Sequence, residues 1–248
     1  MERFNIELGL ALRQFIDEPD NFLRSIALVN SMHLYPVLAS SEPYAIAIDG
    51  QKLTPVFTSK EDLETFCHEH PSASKQAWIE RSALDILEEV ILHQLTGLIF
   101  NVKKTGDFSN STIFQSSEMI QFVNTFTELI NDIMSDDNQA ADLLEKVYLV
   151  PVFIYPKADG THERRFPTMA NELDQSFVPV FSSLPHFADW YNNEEFGLPF
   201  REMGGSVFVW KLEEILQKDR QEAGDTLGVV VNPLAEQQAI VEWAGITQ

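Results

Sequence analysis

Thr54-Pro55-Val56-Phe57-Thr58-Ser59 and Val178-Pro179-Val180-Phe181-Ser182-Ser183 are two versions of one phrase. Each reads as an apolar strand that runs into hydroxyl residues able to start a helix. Three more segments recur in the same order. Leu34-Tyr35-Pro36-Val37 matches Leu149-Val150-Pro151-Val152. Leu87-Glu88-Glu89-Val90 matches Leu212-Glu213-Glu214-Ile215, and Gly97-Leu98-Ile99-Phe100-Asn101 matches Gly228-Val229-Val230-Val231-Asn232. The offsets in chain order are 115, 124, 125 and 131, and they only grow, as insertions in a second copy require. Two copies are too few for a solenoid. The reading is two similar tandem domains, residues 1–116 and 117–248.

Both copies open with helix. In the second, Met119, Phe122, Val123, Phe126, Ile130 and Ile133 share one helix face behind Ser117 as N-cap. Ser135-Asp136-Asp137-Asn138 interrupts it before a short helix over 140–146. Asp17-Glu18-Pro19-Asp20-Asn21 is the matching interruption in the first copy. Three strands follow, over 33–39, 44–48 and 52–57 in one copy and 148–155, 166–171 and 176–181 in the other. Asp49-Gly50 suits a type I′ hairpin, whose central residues both need positive φ. Asp159-Gly160 lies in the longer connection of the second copy. Pro55 and Pro179 cannot donate to a ladder, so each must lie at an edge, a bulge or a strand start.

A helix comes next. Thr58 and Glu61 have capping-box spacing, and Ser182 opens the equivalent turn with Pro185 in its first turn. After a loop, a second helix presents Leu84, Leu87, Ile91 and Leu95 in one copy and Phe208, Leu212, Ile215 and Leu216 in the other. Buried-type strands over 98–102 and 229–231 close the pattern. Grouped strands flanked by helices make the fold class α+β, each domain a small, mostly antiparallel sheet packed with helices.

These residues carry a family resemblance. Leu53-Thr54-Pro55-Val56-Phe57-Thr58-Ser59, with Leu63 and Phe66, resembles the central signature of the SseB family. So does Val178-Pro179-Val180-Phe181-Ser182-Ser183, with Phe187 and Trp190. Gly228-Val229-Val230-Val231-Asn232-Pro233 is similar to the family's second signature; Val102 stands in place of that proline in the first copy. The resemblance implies a cytoplasmic bacterial protein with no assigned enzymatic activity. It carries over no catalytic residue, because its motifs are structural.

Charge narrows the partners. The 248 residues carry 17 Lys and Arg against 38 Asp and Glu, a net of −21. A nucleic-acid backbone or an anionic membrane would meet like charge, so neither is an expected partner. The excess is −14 over residues 117–248 and −7 over residues 1–116; it reads first as a means of solubility, and more sharply as an acidic face that meets a basic protein. The lone cysteine, Cys67, rules out a disulfide within the chain and fits a reducing compartment. Met1-Glu2-Arg3 leads into no apolar signal region, and no apolar run is long enough to span a membrane. The expected address is cytoplasmic.

Catalytic motifs are missing. No Gly-x-Ser-x-Gly, phosphate loop or Gly-x-Gly-x-x-Gly follows a strand, so no cofactor is expected. Gly204-Gly205 reads as a flexible joint. Cys67-His68-Glu69-His70 is the densest set of zinc-ligand types, but two histidines two residues apart diverge on a helix. The second copy has Tyr191-Asn192-Asn193-Glu194 there, so no metal is expected. Glu88-Glu89 and Glu213-Glu214 read as solvated helix faces at equivalent positions.

The loops over 68–81 and 192–206 are better candidates. Aromatic residues in a long loop either tuck under it or form a contact surface. Trp78, Phe196, Phe200 and Arg201 are therefore candidate binding residues, aromatics and Arg being enriched at interface centres. The function expected is a non-catalytic, acidic protein-binding or regulatory module. The alternative is an enzyme or small-ligand sensor using a cleft between the two domains.

Overall fold

The computed structural model describes residues 6–102, 110–158, 160–221 and 225–246. The chain divides into two compact units, Met1–Thr127 and Glu128–Gln248. Both are α+β.

The first unit opens with α1 (Ile6–Asp17) and α2 (Phe22–Leu34). The 17–21 interruption ends one and caps the other: the Asn21 side chain accepts the N–H groups of Leu23 and Arg24. Next come β1 (Val37–Ser40), β2 (Ile46–Ile48) and β3 (Gln51–Val56). Asp49 and Gly50 both have positive φ in the β2–β3 turn, as the hairpin type requires. Then follow α3 (Lys60–Glu69), β4 (Trp78–Arg81), α4 (Ala83–Leu92), β5 (Gly97–Phe100) and β6 (Thr112–Gln115). A long helix, α5 (Ser116–Met134), contains the division between the units.

The strand order is β2-β3-β5-β6, with β3 and β5 parallel and the other pairs antiparallel. The antiparallel pair β1–β4 joins this sheet through reciprocal bonds between Leu38 and Phe57 of 2.8 and 2.9 Å. Alternate residues face opposite sides, the period-2 rule of a strand. Val37, Ala39, Val56, Leu98 and Phe100 meet α1, α2, α4 and the start of α5 in one core. Leu38, Leu53, Phe57 and Ile99 meet Phe66 of α3 in another.

The second unit continues with α6 (Asp136–Ala140), β7 (Val147–Pro156), β8 (His162–Arg165), β9 (Met169–Ala170) and β10 (Ser176–Val180). After these come α7 (Leu184–Tyr191), α8 (Gly197–Glu202), β11 (Ser206–Lys211) and α9 (Leu212–Gln221). The chain then forms β12 (Gly228–Val231), β13 (Ala239–Glu242) and α10 (Trp243–Ile246). Its pairing repeats that of the first unit. The order is β9-β10-β12-β13, with β10 and β12 parallel, and β11-β7-β8 joins through Leu149 and Phe181. In both units a glycine opens the central strand because a neighbour lies against it. A Cβ on Gly97 would collide with the Phe114 carbonyl, and one on Gly228 with the Val241 carbonyl.

Pro55 and Pro179 occupy a local edge. The Val56 carbonyl accepts from Asn101 of the β5 strand end, so odd-numbered β3 residues face the opposite side. On that side β2 pairs with Gln51–Leu53 and Leu38 pairs with Phe57, leaving Pro55 in the gap between. Pro179 has the same place between Phe177, paired with Met169, and Phe181, paired with Leu149.

Several expectations need correction. Leu38 and Leu149 are counterparts, because each bridges the first residue beyond the proline strand. The sequence match of Leu34 with Leu149 is thus four residues early. The second helices slip likewise. α4 buries Ala83, Ile86, Leu87 and Val90, and α9 buries Leu212, Ile215, Leu216 and Asp219 with the same spacing. Ala83, not Leu87, therefore corresponds to Leu212, and the two Glu pairs are not equivalent. Ile91 is exposed, and Phe208 lies on β11 rather than on the helix. The helix after the 135–138 break is Asp136–Ala140, capped by Ser135, because Asp and Asn suit a first turn. Ser59, not Thr58, caps α3 by accepting from Asp62 N–H. The strands β4, β6, β8, β11 and β13 fall where no strand was expected. Asp159 lies outside the described residues.

Thr58 has another task. Asn101, at φ 47°, accepts the Thr58 N–H at 2.8 Å and donates to its hydroxyl at 3.0 Å. Asn232, at φ 52°, does the same for Ser182 at 3.0 and 2.9 Å. Asn101→Ala leaves a buried N–H without an acceptor, which costs about 1–3 kcal/mol. Urea unfolding should register that loss, and a smaller one for Asn232→Ala, whose site is only half-buried.

Asp219 fills the place that Val90 fills in the first unit. It is 3% exposed and accepts from the Thr226 hydroxyl at 2.7 Å, which in turn accepts from Trp243 Nε1 at 3.0 Å. Burial pushes its carboxyl above the usual aspartate range, opposed by the hydrogen bonds from Thr226 and Trp243. The folded state therefore holds the proton more tightly than the unfolded one. Stability contributed by this group is full in acid and falls as pH rises from 3.8 through the raised value. Asp219→Asn should raise the melting temperature near neutral pH, and the gain should vanish towards pH 3.

Candidate functional site

Residues 192–206 are not one long loop. Asn193 gathers the chain after α7: its side chain accepts from Glu195 and Phe196 N–H, and its carbonyl from Gly197 and Leu198. Gly197 lies so close to the Trp190 and Tyr191 carbonyls that a Cβ would collide with both. α8 follows, with Pro199 in its first turn. The sequence signal for this helix was that proline, at a position where the missing N–H is harmless. Gly204-Gly205 is not a loose joint either. Gly204 turns the chain at φ 68°, and Gly205 has no room for a Cβ against the Phe200 ring.

This compact corner leaves a pocket of about 270 Å³ in the second unit. Phe153 of β7, Met169 of β9, Pro179 of β10 and Trp190 of α7 form part of it. Phe196, Pro199, Phe200 and Met203 complete its apolar lining, with Pro167, Thr168 and Glu195 beside them. The rings support one another. Phe200 lies 5.3 Å from both Phe153 and Trp190, and Trp190 lies 5.4 Å from Phe181. Trp190 is 1% exposed, yet its Nε1 has no hydrogen-bond partner among the described residues. An unpaired buried N–H costs about 1–3 kcal/mol.

The four candidate residues separate. Phe196 and Phe200 come together in the pocket wall. Phe196 is half-buried; Phe200 is 1% exposed, so it supports the wall and is not a free surface anchor. Arg201 is outside the lining: its guanidinium lies 5.3 Å from the Tyr191 ring, and its Nε donates to the Gly197 carbonyl at 3.4 Å. Trp78 belongs to the first unit. It lies edge-on to Phe57 at 5.5 Å and Phe66 at 6.0 Å, and its Nε1 donates to the Ala73 carbonyl at 3.0 Å. It is part of a satellite core on β4. Phe153, Met169 and Trp190 were missed as pocket residues, because sheet and helix packing brings them there and no local spacing does; Met203, three residues after Phe200 at the end of α8, was missed although it is local.

Other titratable groups have structural partners. Burial pushes the Cys67 thiol above its ordinary value, opposed by a hydrogen bond with Trp78. His70 packs on Phe66, with ring centres 4.4 Å apart. Among the described residues no three His, Cys, Asp or Glu side chains could hold a metal ion. Ser183 and His186 meet at 3.0 Å as N-cap and third helical residue, and among the described residues no carboxylate hydrogen-bonds to His186. Glu89 pairs with Arg81 at 2.7 Å, and Glu214 accepts the Lys211 N–H. Asn110 Oδ1 is also unpartnered, but it follows residues 103–109, outside the described part. Among the described residues no helix is long and apolar enough to cross a membrane.

No family model matches the chain, and no curated protein matches it. Among solved structures, Anabaena Tic22 (protein transport) is similar at 13% identity over 92% of this chain and 93% of that chain. The TM-score is 0.23, too slight a likeness to assign a fold or a role.

Phe200 decides whether the corner stands. Phe200→Ala removes a ring that Phe153, Trp190 and Gly205 all contact. It should destabilise the second unit by about 3–5 kcal/mol, the usual cost of emptying a buried phenylalanine site. Denaturant unfolding checks this; an unchanged midpoint would mean the ring is not part of the core.

Proposed function

We propose that this protein is a non-catalytic acidic module that binds another protein, of the SseB kind its strand-to-cap signatures resemble, and that its partner is basic. The observation that carries the reading is the apolar pocket beside unpaired carboxylates. Glu195 lines it, and exposed Glu194 and Glu202 are its chain neighbours. None of the three has an ion-pair partner among the described residues. Apolar area excludes water and holds a partner; solvated charge at a rim speeds encounter and selects its sign.

The test separates the two contributions. Immobilised protein should retain basic proteins from a cell extract at low salt and release them at high salt. Charge reversal, Glu194→Lys with Glu195→Lys, should slow association several-fold and flatten its salt dependence, with little change in dissociation. Retention indifferent to both salt and charge reversal would overturn the reading.

A further inference from the structure

Trp190 differs from two other tryptophans that are buried or half-buried. Trp78 donates its Nε1–H to the Ala73 carbonyl in the first unit, and Trp243 donates its own to the Thr226 hydroxyl in the second. Trp190 lines an apolar pocket, and its Nε1–H has no acceptor among the described residues. Native proteins pair nearly all such groups, so an exception needs a reason.

Size limits what that ligand is. About 270 Å³ falls below the roughly 300–1,000 Å³ of sites that enclose a whole small molecule. It suits one or two side chains. Charge limits it further. Among the described residues Glu194, Glu195 and Glu202 have no ion-pair partner, and the nearby cations do not balance three carboxylates. Arg201 lies over Tyr191. Arg165, opposite Phe153 in the β7–β8 register, binds Glu163 at 2.6 Å. The uncompensated charge beside the pocket is negative.

We propose that the pocket seats one bulky apolar side chain from a lysine- or arginine-flanked peptide segment, and that Trp190 Nε1–H donates a hydrogen bond to a carbonyl oxygen of that segment. The proposal rests on the protein-binding reading above and names the chemistry of its anchor. Trp190 Nε1 is covered in the free protein, so a lining side chain must move for the oxygen to reach it. Met203 is unbranched and 59% exposed, the type of side chain that moves aside most readily.

The probes are acetyl-Lys-Lys-Xaa-Lys-Lys-amide peptides with Phe, Leu or Gly at Xaa, and uncharged N-acetyl-phenylalanine amide. They are titrated against the full chain while the tryptophan indole N–H signals are followed by NMR. The Phe and Leu peptides should bind at least ten-fold more tightly than the Gly peptide and shift the Trp190 indole signal downfield. Trp190→Phe should weaken the Phe peptide several-fold and leave its salt dependence intact. Phe196→Ala, at a half-buried lining position, should weaken it too; the indole shift of the unaltered protein is readable whether or not either variant folds. Equal binding of the Gly peptide would leave charge alone as the cause and overturn the seat. Equal binding of N-acetyl-phenylalanine amide would make this a small-molecule site. Binding of the Phe peptide with an unmoved Trp190 indole would remove the proposed donor. Any of these results in a protein that still retains basic proteins in a salt-dependent way sinks the seat alone. A protein that retains none loses the protein-binding reading itself.

Discussion

In each unit an asparagine side chain closes the end of the parallel strand pair, and the arrangement of the sheet depends on it. The strand that enters a helix leaves its last N–H pointing at no neighbour. Asn101 supplies the missing acceptor to Thr58, and Asn232 supplies it to Ser182. The same asparagines donate their own backbone N–H to Val56 and Val180, so one residue grips both sides of the turn. Each does so at positive φ, a conformation asparagine tolerates better than most residues. With that turn held, Phe57 and Phe181 are placed to bond Leu38 and Leu149. Those bonds join each lateral strand pair to the main sheet.

The proline just before the turn completes the device. β2 reaches the beginning of β3 and β1 reaches its end, and neither can extend into the other's place. Pro55 has no N–H to offer in the gap, so nothing is left unsatisfied there. Pro179 does the same between β9 and β7. Asparagine and proline thus specify, within a few residues, where one neighbour stops and the next begins.

The parts of that device were legible, but not the asparagine bond that joins them, because it spans 43 residues in one unit and 50 in the other. The apolar phrase ending in hydroxyls, the Asp49-Gly50 turn and the strands ending in Asn101 and Asn232 are all readable from adjacent residues. The internal alignment was harder, and its error is instructive. A shift of four residues is about one helical turn and an even number of strand positions. It therefore keeps apolar residues on the correct face in both element types. Leu34 could pass for Leu38, and Leu87 for Ala83, without spoiling any pattern. Only the pairing of Leu38 with Phe57, and the burial of Asp219 where Val90 is buried, break the degeneracy. β4 and β11 were hidden for a related reason: no residue of either is fully buried, so apolar and polar types do not alternate cleanly. The pocket was half legible. Phe196 and Phe200 are neighbours in the chain, but Phe153, Met169 and Trp190 reach them only through sheet and helix packing.

Departures from good packing point to function only when the chain does not resolve them itself. Among its described residues the second unit has two departures. Asp219 puts a carboxyl into an apolar core position, but Thr226 and Trp243 surround it with donors and tie α9 to the end of the sheet. Its polar atoms find partners within the chain, so it needs no ligand to explain it. Trp190 is different. Its ring is well packed against Phe181, Phe187 and Phe200, while its one polar atom is left alone. A phenylalanine, which is what the first unit has at Phe66, would fill such a ring site without an orphaned N–H. A tryptophan there adds a donor that the folded chain does not use, on the wall of an apolar pocket with unpaired carboxylates beside it. Stability alone does not account for that donor; the proposed recognition of a carbonyl brought in by a partner would.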